Sequence, residues 1–386
     1  MDPDDLLAEA SAASLAFQAA LVRIGAQTIE EALVLWRRLS ATDAQGTAAA
    51  WLEDAVEMVM SRRSQSRELG IAFYRLTRAL MTGSTVPDPN DPDPTYVTLG
   101  QLRTAFAELA ESQLPDDAGD DLYVPVEPVE TPTRPRDDAP GPTAPRDDEG
   151  VDLFDLTDDE LRRALREDIA RTERQRAEED EDAEEELRVV LKALGEEGYL
   201  KRIQGLDDEA PASEVDAERS EAKAQAGARQ AAAAERIALN AGRGEIFRDA
   251  EEDPRAIGYV RRSRTGTPCG WCAMLISRGL VLYRSKASAT ITADGDLYHD
   301  NCKCYAEPVY STRQYDESDI YRLNRIYGEW WPKVTDGTSG KAAVALWRKF
   351  FRLTADMPEE QRIAHWERWL ASADGREWQD RYLSRE

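Results

Sequence analysis

All four cysteines of the 386-residue chain, and one of its two histidines, fall between positions 269 and 304. They read Cys269-Gly270-Trp271-Cys272 and then, after a gap, His299-Asp300-Asn301-Cys302-Lys303-Cys304. A C-x-x-C pair places two thiolates on one tight turn, which suits two adjacent corners of a tetrahedron. A second pair from a returning loop closes it. Five groups compete for four zinc positions: Cys269, Cys272, His299, Cys302 and Cys304. Cys269 and Cys272 are the strongest pair, Cys302 follows, and the fourth ligand is Cys304 or His299. The expected cofactor is a structural Zn2+ whose binding adds directly to folding. The alternative is reduced thiols without metal. A redox reading starts from the same C-x-x-C, because a helix N-terminus lowers a thiol pKa. Against it, no thioredoxin-like βαβ pattern surrounds the pair, and Pro268 precedes the motif instead of lying inside it.

Other chemistry has less support. The sequence contains no G-x-S-x-G, H-E-x-x-H or P-loop motif. Residues 1–298 contain no histidine, which excludes a Ser–His protease confined to that part. His365, between Ala364 and Trp366 in a helical stretch, reads as a packed or surface histidine. A basic stretch, Arg255, Arg261, Arg262 and Arg264, precedes the cysteines, and residues 255–310 hold eight Lys/Arg against four Asp/Glu. With Tyr259 and Trp271 nearby, these four arginines are candidates for nucleic-acid contact. The competing reading is a surface that faces the protein's own acidic helix, which the overall charge of -26 favours.

The elements that must position these groups read as mainly α. An N-terminal helical bundle is expected over 1–110, where Trp51, Leu52, Val56, Val59 and Met60 mark one face of an amphipathic helix. Three or four helices are expected over residues 5–83, one starting at the capping box Thr28-Ile29-Glu30-Glu31, and a further capping box, Thr98-Leu99-Gly100-Gln101, is expected to open a short helix through Leu109. Residues 111–150 carry eight prolines among many Asp, Glu and Thr, and read as an extended linker. Acidic and Ala-rich helices follow over 151–250. Thr157-Asp158-Asp159-Glu160 caps the first, and eight of the nine residues 178–186 are acidic. Gly195 and Gly198 are expected to break that helix. Residues 213–241 have strong helix propensity but a weak apolar face, which predicts a surface helix or one lying against a partner. A small α+β cysteine-containing domain is expected over 251–315, with strands near 258–261 and 280–283. A helical C-terminal region over 316–386 carries six of the nine tryptophans, which cover a core or form an interface, self-association included.

Charge is concentrated: residues 111–187 hold 28 acidic and 9 basic residues, a balance of -19. Uninterrupted runs of about 18 apolar residues are missing, so no membrane-spanning helix is expected. The acidic start Met1-Asp2-Pro3-Asp4-Asp5 is unlike a secretory signal, and a cytosolic location is expected. That compartment disfavours disulfides.

The stretch from Pro268-Cys269-Gly270-Trp271-Cys272-Ala273-Met274-Leu275-Ile276-Ser277-Arg278-Gly279 through Tyr298-His299-Asp300-Asn301-Cys302-Lys303-Cys304 to Glu307-Pro308-Val309 resembles the MuF-like minor capsid proteins of tailed phages. Within that family it is most like the group found in phages of actinobacteria. Residues 240–243, 338–341 and 47–52 fit the same layout, and the likeness is sharpest from about 235 to 350. The resemblance implies a structural minor capsid protein of head morphogenesis, associated with the portal and with capsid or scaffold proteins. It further implies a location in the host cytoplasm during assembly and then in the virion head, a part in DNA packaging or ejection, and no enzymatic activity. It carries the five Cys/His positions over as structural ligands. Some relatives are fused to, or labelled as, capsid maturation proteases, and that is the alternative function.

Overall fold

Asp2 accepts a hydrogen bond from the Asp4 backbone N–H at 3.0 Å, and Pro3 occupies the first helical position, so a helix capped by Asp2 starts at the third residue. The structure, a computed structural model, describes residues 2–39, 44–91, 94–112, 119–128, 157–206, 211–263, 268–282 and 304–382. The chain divides into two units, one within Met1–Ala256 and one beginning at Ile257. The architecture is mainly helical, with a small α+β region.

In the first unit, α1 (Pro3–Arg38), α2 (Ala44–Thr82) and α6 (Ala212–Glu252) pack side by side as the core. Between α2 and α6 in sequence lie β1 (Tyr96–Thr98), α3 (Leu99–Ala110), β2 (Tyr123–Pro125), α4 (Asp158–Leu191) and α5 (Gly198–Ile203). The capping boxes at Thr98–Gln101 and Thr157–Glu160 start α3 and α4 as their sequences predict. β1 and β2 pair antiparallel with Val97 opposite Val124. Residues 113–118 and 129–150 of the expected linker lie outside the described residues.

Three sequence expectations change here. The capping box at Thr28 is not used: α1 runs through it, and the Thr28 hydroxyl donates back to the Ile24 carbonyl at 2.8 Å inside the helix. Residues 5–83 therefore fall in two long helices, α1 and α2, where three or four were expected. At Gly195 the chain does not break but passes through one π-helical turn, Lys192–Glu197, into α5. A Cβ at Gly195 would lie 2.7 Å from the Trp51 ring, so the indole takes the space a side chain would need. Finally, α6 is not a surface helix. Its Ala222, Ala226, Ala231, Ala234, Ala238 and Gly242 are all buried. Small residues bury little apolar area each, which is why the apolar face looked weak, but they let backbones approach.

That approach is closest where Ser66 and Gly70 of α2 meet Ala238 and Gly242 of α6. The Ser66 hydroxyl donates to the Ala238 carbonyl at 2.6 Å and accepts from the Gly242 N–H at 3.1 Å. A Cβ on Gly242 would fall 2.1 Å from the Ser66 carbonyl oxygen.

α1 contains an 18-residue window of mean hydropathy 1.3, long and apolar enough to cross a membrane by length and composition. No uninterrupted apolar run marks this helix in the sequence, where a membrane-spanning helix is not expected, because its Ala-rich stretch carries sparse polar interruptions. In this fold Ala13, Phe17, Ala20, Leu21 and Ile24 of α1 are fully buried.

In the second unit, β3 (Gly258–Ser263) is the central strand, with β4 (Val281–Leu282) and β5 (Cys304–Val309) antiparallel on either side. α7 (Gly270–Ile276) lies between β3 and β4 in sequence. After β5 come α8 (Thr312–Glu317), α9 (Arg322–Val334), α10 (Gly340–Thr354), α11 (Glu359–Leu370) and α12 (Ala373–Tyr382). Their aromatic residues form a core: Trp330, Trp347, Trp366, Tyr327 and Phe350 are buried together with Ala273–Ile276 of α7. Trp331, Trp369 and Trp378 are partly buried against it.

The α2–α6 crossing predicts a position-specific response. Gly242→Ala loses about 2–3 kcal/mol of stability by overpacking a backbone contact. Gly244→Ala, where nothing lies within 4 Å of the added Cβ, gains about 0.5–1 kcal/mol by removing a helical glycine. Denaturant unfolding followed by far-UV circular dichroism distinguishes the two.

Candidate functional site

β3 leads towards the first cysteine segment, and β5 begins on the last residue of the second. The register places Ser263 opposite Cys304 and Arg262 opposite Tyr305. The antiparallel ladder therefore sets Cys304 beside the end of the strand from which the chain runs to Cys269. Cys269 is the N-cap of α7: its sulfur accepts from the Cys272 N–H at 3.4 Å, and the two sulfurs are 3.3 Å apart. With Zn–S bonds of about 2.3 Å, neighbouring corners of a tetrahedron are about 3.8 Å apart, wider than the 3.3 Å between these sulfurs, so the pair would have to open to take two corners of one metal. Cys269 is exposed, while Cys272 and Cys304 are buried. His299, Cys302 and Arg264 lie outside the described residues. Among the described residues no cluster of three or more His, Cys, Asp or Glu is placed to hold a metal. The sheet around the pair is antiparallel, unlike the parallel βαβ frame of thioredoxin-like redox sites.

Two devices fix α7. Its residues Ala273–Ile276, buried on all sides, belong to the tryptophan core. Asn324 of α9 then donates its amide N–H groups to the Arg261 carbonyl of β3 (2.9 Å) and the Ile276 carbonyl of α7 (3.2 Å). One buried amide thus ties the cysteine helix to the sheet.

Three of the four arginines of the expected nucleic-acid stretch, Arg255, Arg261 and Arg262, lie among the described residues. Arg255, in the first unit, is half-exposed and donates to Glu127 at 3.2 Å. Arg261 and Arg262 are 4% and 6% exposed, so their side chains are not presented to solvent. The expectation of a surface basic stretch fails at these two positions because β3 is covered along its length. Arg262 is committed to a network that the sequence did not reveal. Its Nη1 donates to Glu307 (2.9 Å) and to the Tyr305 hydroxyl (3.1 Å). Glu307 also accepts from Tyr305 (3.2 Å) and Tyr321 (2.8 Å), and Tyr321 accepts from Gln314 (3.2 Å). Arg262 lies over the Tyr305 and Tyr321 rings, at 5.9 and 5.8 Å from their centroids.

Burial works against the Arg262 charge, but Glu307 beside it outweighs that effect and holds the guanidinium protonated more firmly than usual. Burial, reinforced by the Glu307 charge, pushes the Tyr321 phenol well above its ordinary value. Arg262 and Glu307 sit diagonally across adjacent strands, two register positions apart. Their pairing was findable only with the strand register in hand.

A model of the VG15 protein family, a viral family, matches residues 159–330. The matched stretch runs from the start of α4 into α9 and includes both cysteine segments, Glu307 and Tyr321. The match supports a phage protein in general terms. No curated protein and no solved structure matches the chain.

Two outcomes follow from the Arg262–Glu307 network. Glu307→Gln leaves a buried guanidinium without its counter-charge and costs about 3–5 kcal/mol. Tryptophan fluorescence reads the loss, since seven of the nine tryptophans lie in the second unit. Tyr321 keeps its proton in the folded chain at pH values where the unfolded phenol ionises, near 10. Its contribution is complete below pH 10 and is lost as pH rises through the folded-state value. Tyr321→Phe is therefore less stable by about 1 kcal/mol at pH 8 but declines less steeply above pH 10. Denaturation midpoints across that range supply the test.

Proposed function

We propose that the protein is a structural minor component of a tailed-phage head, acting in head morphogenesis beside the portal and the capsid or scaffold proteins. One observation carries the reading. The described residues of the MuF-like resemblance, 268–279 and 304–309, fall in the Cys269–Cys272 turn, α7 and the β3–β5 ladder, inside the stretch that matches a viral family. In that frame the groups with chemical potential are spent on holding structure: Arg262 and Glu307 on one another, Asn324 on two carbonyls. Zinc belongs to the same proposal. Cys269 and Cys272, with two of His299, Cys302 and Cys304, would hold it, and the metal would supply a crosslink between the two cysteine segments.

The outward side chains Glu178, Glu181, Asp182 and Glu185 of α4 are exposed. They are the surface we assign to basic partners in the head, such as portal faces that later meet DNA.

The test is composition and genetics of the particle. Mass spectrometry of gradient-purified procapsids and virions is expected to find the chain intact in both. Deleting its gene is expected to give heads that assemble defectively or fail to retain DNA, with processing of the other head proteins unchanged. Absence of the chain from particles, together with loss of that processing in the deletion, would instead favour a maturation protease.

A further inference from the structure

α4 is attached to the first unit unlike its neighbours. α1, α2 and α6 meet mainly through buried apolar and small residues, with polar contacts such as Arg62–Glu31 and Ser66–Ala238 among them. α4 contributes buried apolar groups at its two ends, Leu165 and Ile169 at one, and Ala183, Leu187 and Leu191 at the other. The latter group packs into the Trp36–Trp51 cluster. Between these ends the side chains that meet the core are charged: Arg176, Glu179 and Asp180.

Each has a partner on α2 or α6. Asp180 accepts from Arg63 (2.6 Å) and from both terminal nitrogens of Arg67 (2.6 Å from Nη2). Glu179 accepts from Arg248 (2.6 Å), and its carbonyl accepts from Arg63 (3.4 Å). Arg176 donates to Glu245 (2.9 Å from Nε), which also accepts from Arg248 (3.0 Å) and lies 3.8 Å from Arg67. Flanking pairs Arg171–Glu252 and Glu186–Arg236 repeat the pattern, whereas Arg188–Glu53, at the pivot end, is an exposed pair outside the layer.

Solvent reaches this layer from the α4 side. The Arg63, Arg67 and Arg248 side chains are 6%, 10% and 10% exposed, and Glu245 is 0% exposed. Asp180 and Glu179 are 32% and 39% exposed. Counter-ions therefore have access to the carboxylates that α4 supplies, whereas the apolar contacts of α1, α2 and α6 do not weaken with salt.

We infer that α4 is an ionic clasp, a helix that lifts from the α2–α6 face, with the core beneath it intact, when its arginine–carboxylate layer is screened or loses a charge. The apolar end at Ala183, Leu187 and Leu191 is the pivot. Lifting uncovers Arg63, Arg67 and Arg248 together, so the opened face is one that accepts carboxylates. Opening of this kind is a local event below global unfolding.

Hydrogen exchange by mass spectrometry on the full chain tests the clasp. Between about 50 mM and about 500 mM NaCl, peptides covering 165–182 are expected to exchange at least about tenfold faster, with peptides from α2 and α6 changing less than about twofold. Asp180→Asn is expected to produce the fast pattern at low salt. Glu53→Gln, at the exposed Arg188 pair, is expected to leave it unchanged. Protection of 165–182 that ignores salt and Asp180→Asn alike would overturn the clasp. So would loss of protection in α2 and α6 in parallel with α4. The salt series on the unaltered chain decides the matter even if Asp180→Asn does not fold.

Discussion

A buried guanidinium must meet a carboxylate, and much of the fold follows from that requirement. Removing one partner of such a pair strands a charge away from water, at a cost of several kcal/mol. The chain buries arginines in both units. Arg78 is 1% exposed and donates to Asp253 (2.8 Å) and Glu127 (3.1 Å). Arg103 joins Glu9 of α1 to Asp120. Arg63 and Arg67 share Asp180, and Arg262 takes Glu307. Each pair spans elements far apart in sequence, so each fixes a register that apolar packing alone would leave loose. With 75 acidic residues against 49 basic, pairing the buried arginines still leaves an excess of carboxylates. The outward face of α4 carries part of that excess.

Small residues set the second constraint. α2 and α6 approach closely only because Gly70 and Gly242 have no side chains and Ser66 can share the hydrogen bonding of Ala238 and Gly242. The same Ala- and Gly-rich composition misled the sequence reading of α6. Periodicity detects large apolar side chains on one face, whereas the buried stripe of α6 is largely alanine and glycine. By contrast, α3 and α4 were legible from the first residue, because Thr98–Gln101 and Thr157–Glu160 are local signals that need no tertiary partner. Thr28–Glu31 has the same letters, but it lies inside an apolar stretch that keeps the helix going, and tertiary packing decided the outcome.

At the candidate site, the sequence revealed what is local and concealed what is not. Cys269 and Cys272 are three residues apart, and their cap geometry follows from that spacing. The tryptophan-rich end was recognisable as core or interface, and it is core for Trp330, Trp347 and Trp366. Arg261 and Arg262 looked like a basic surface because sequence shows charge but not burial. Glu307, Tyr321 and Asn324, which fix this frame, lie 45 to 63 residues from their partners on β3. No spacing rule connects them: the pairing of β3 with β5 brings Glu307 to Arg262, and the packing of α9 and the turn before it brings Asn324 and Tyr321.

If the reactive side chains of the second unit serve architecture, its cysteines should be occupied in the intact protein. Elemental analysis combined with thiol titration of the full-length chain, purified under reducing conditions, tests that most directly. The expected result is one zinc per chain, with thiols shielded until a chelator is added. Chelation should then shift tryptophan emission and leave the helical signal of the first unit in place. A chain that carries no metal and titrates four thiols at once, with unchanged emission, would contradict it.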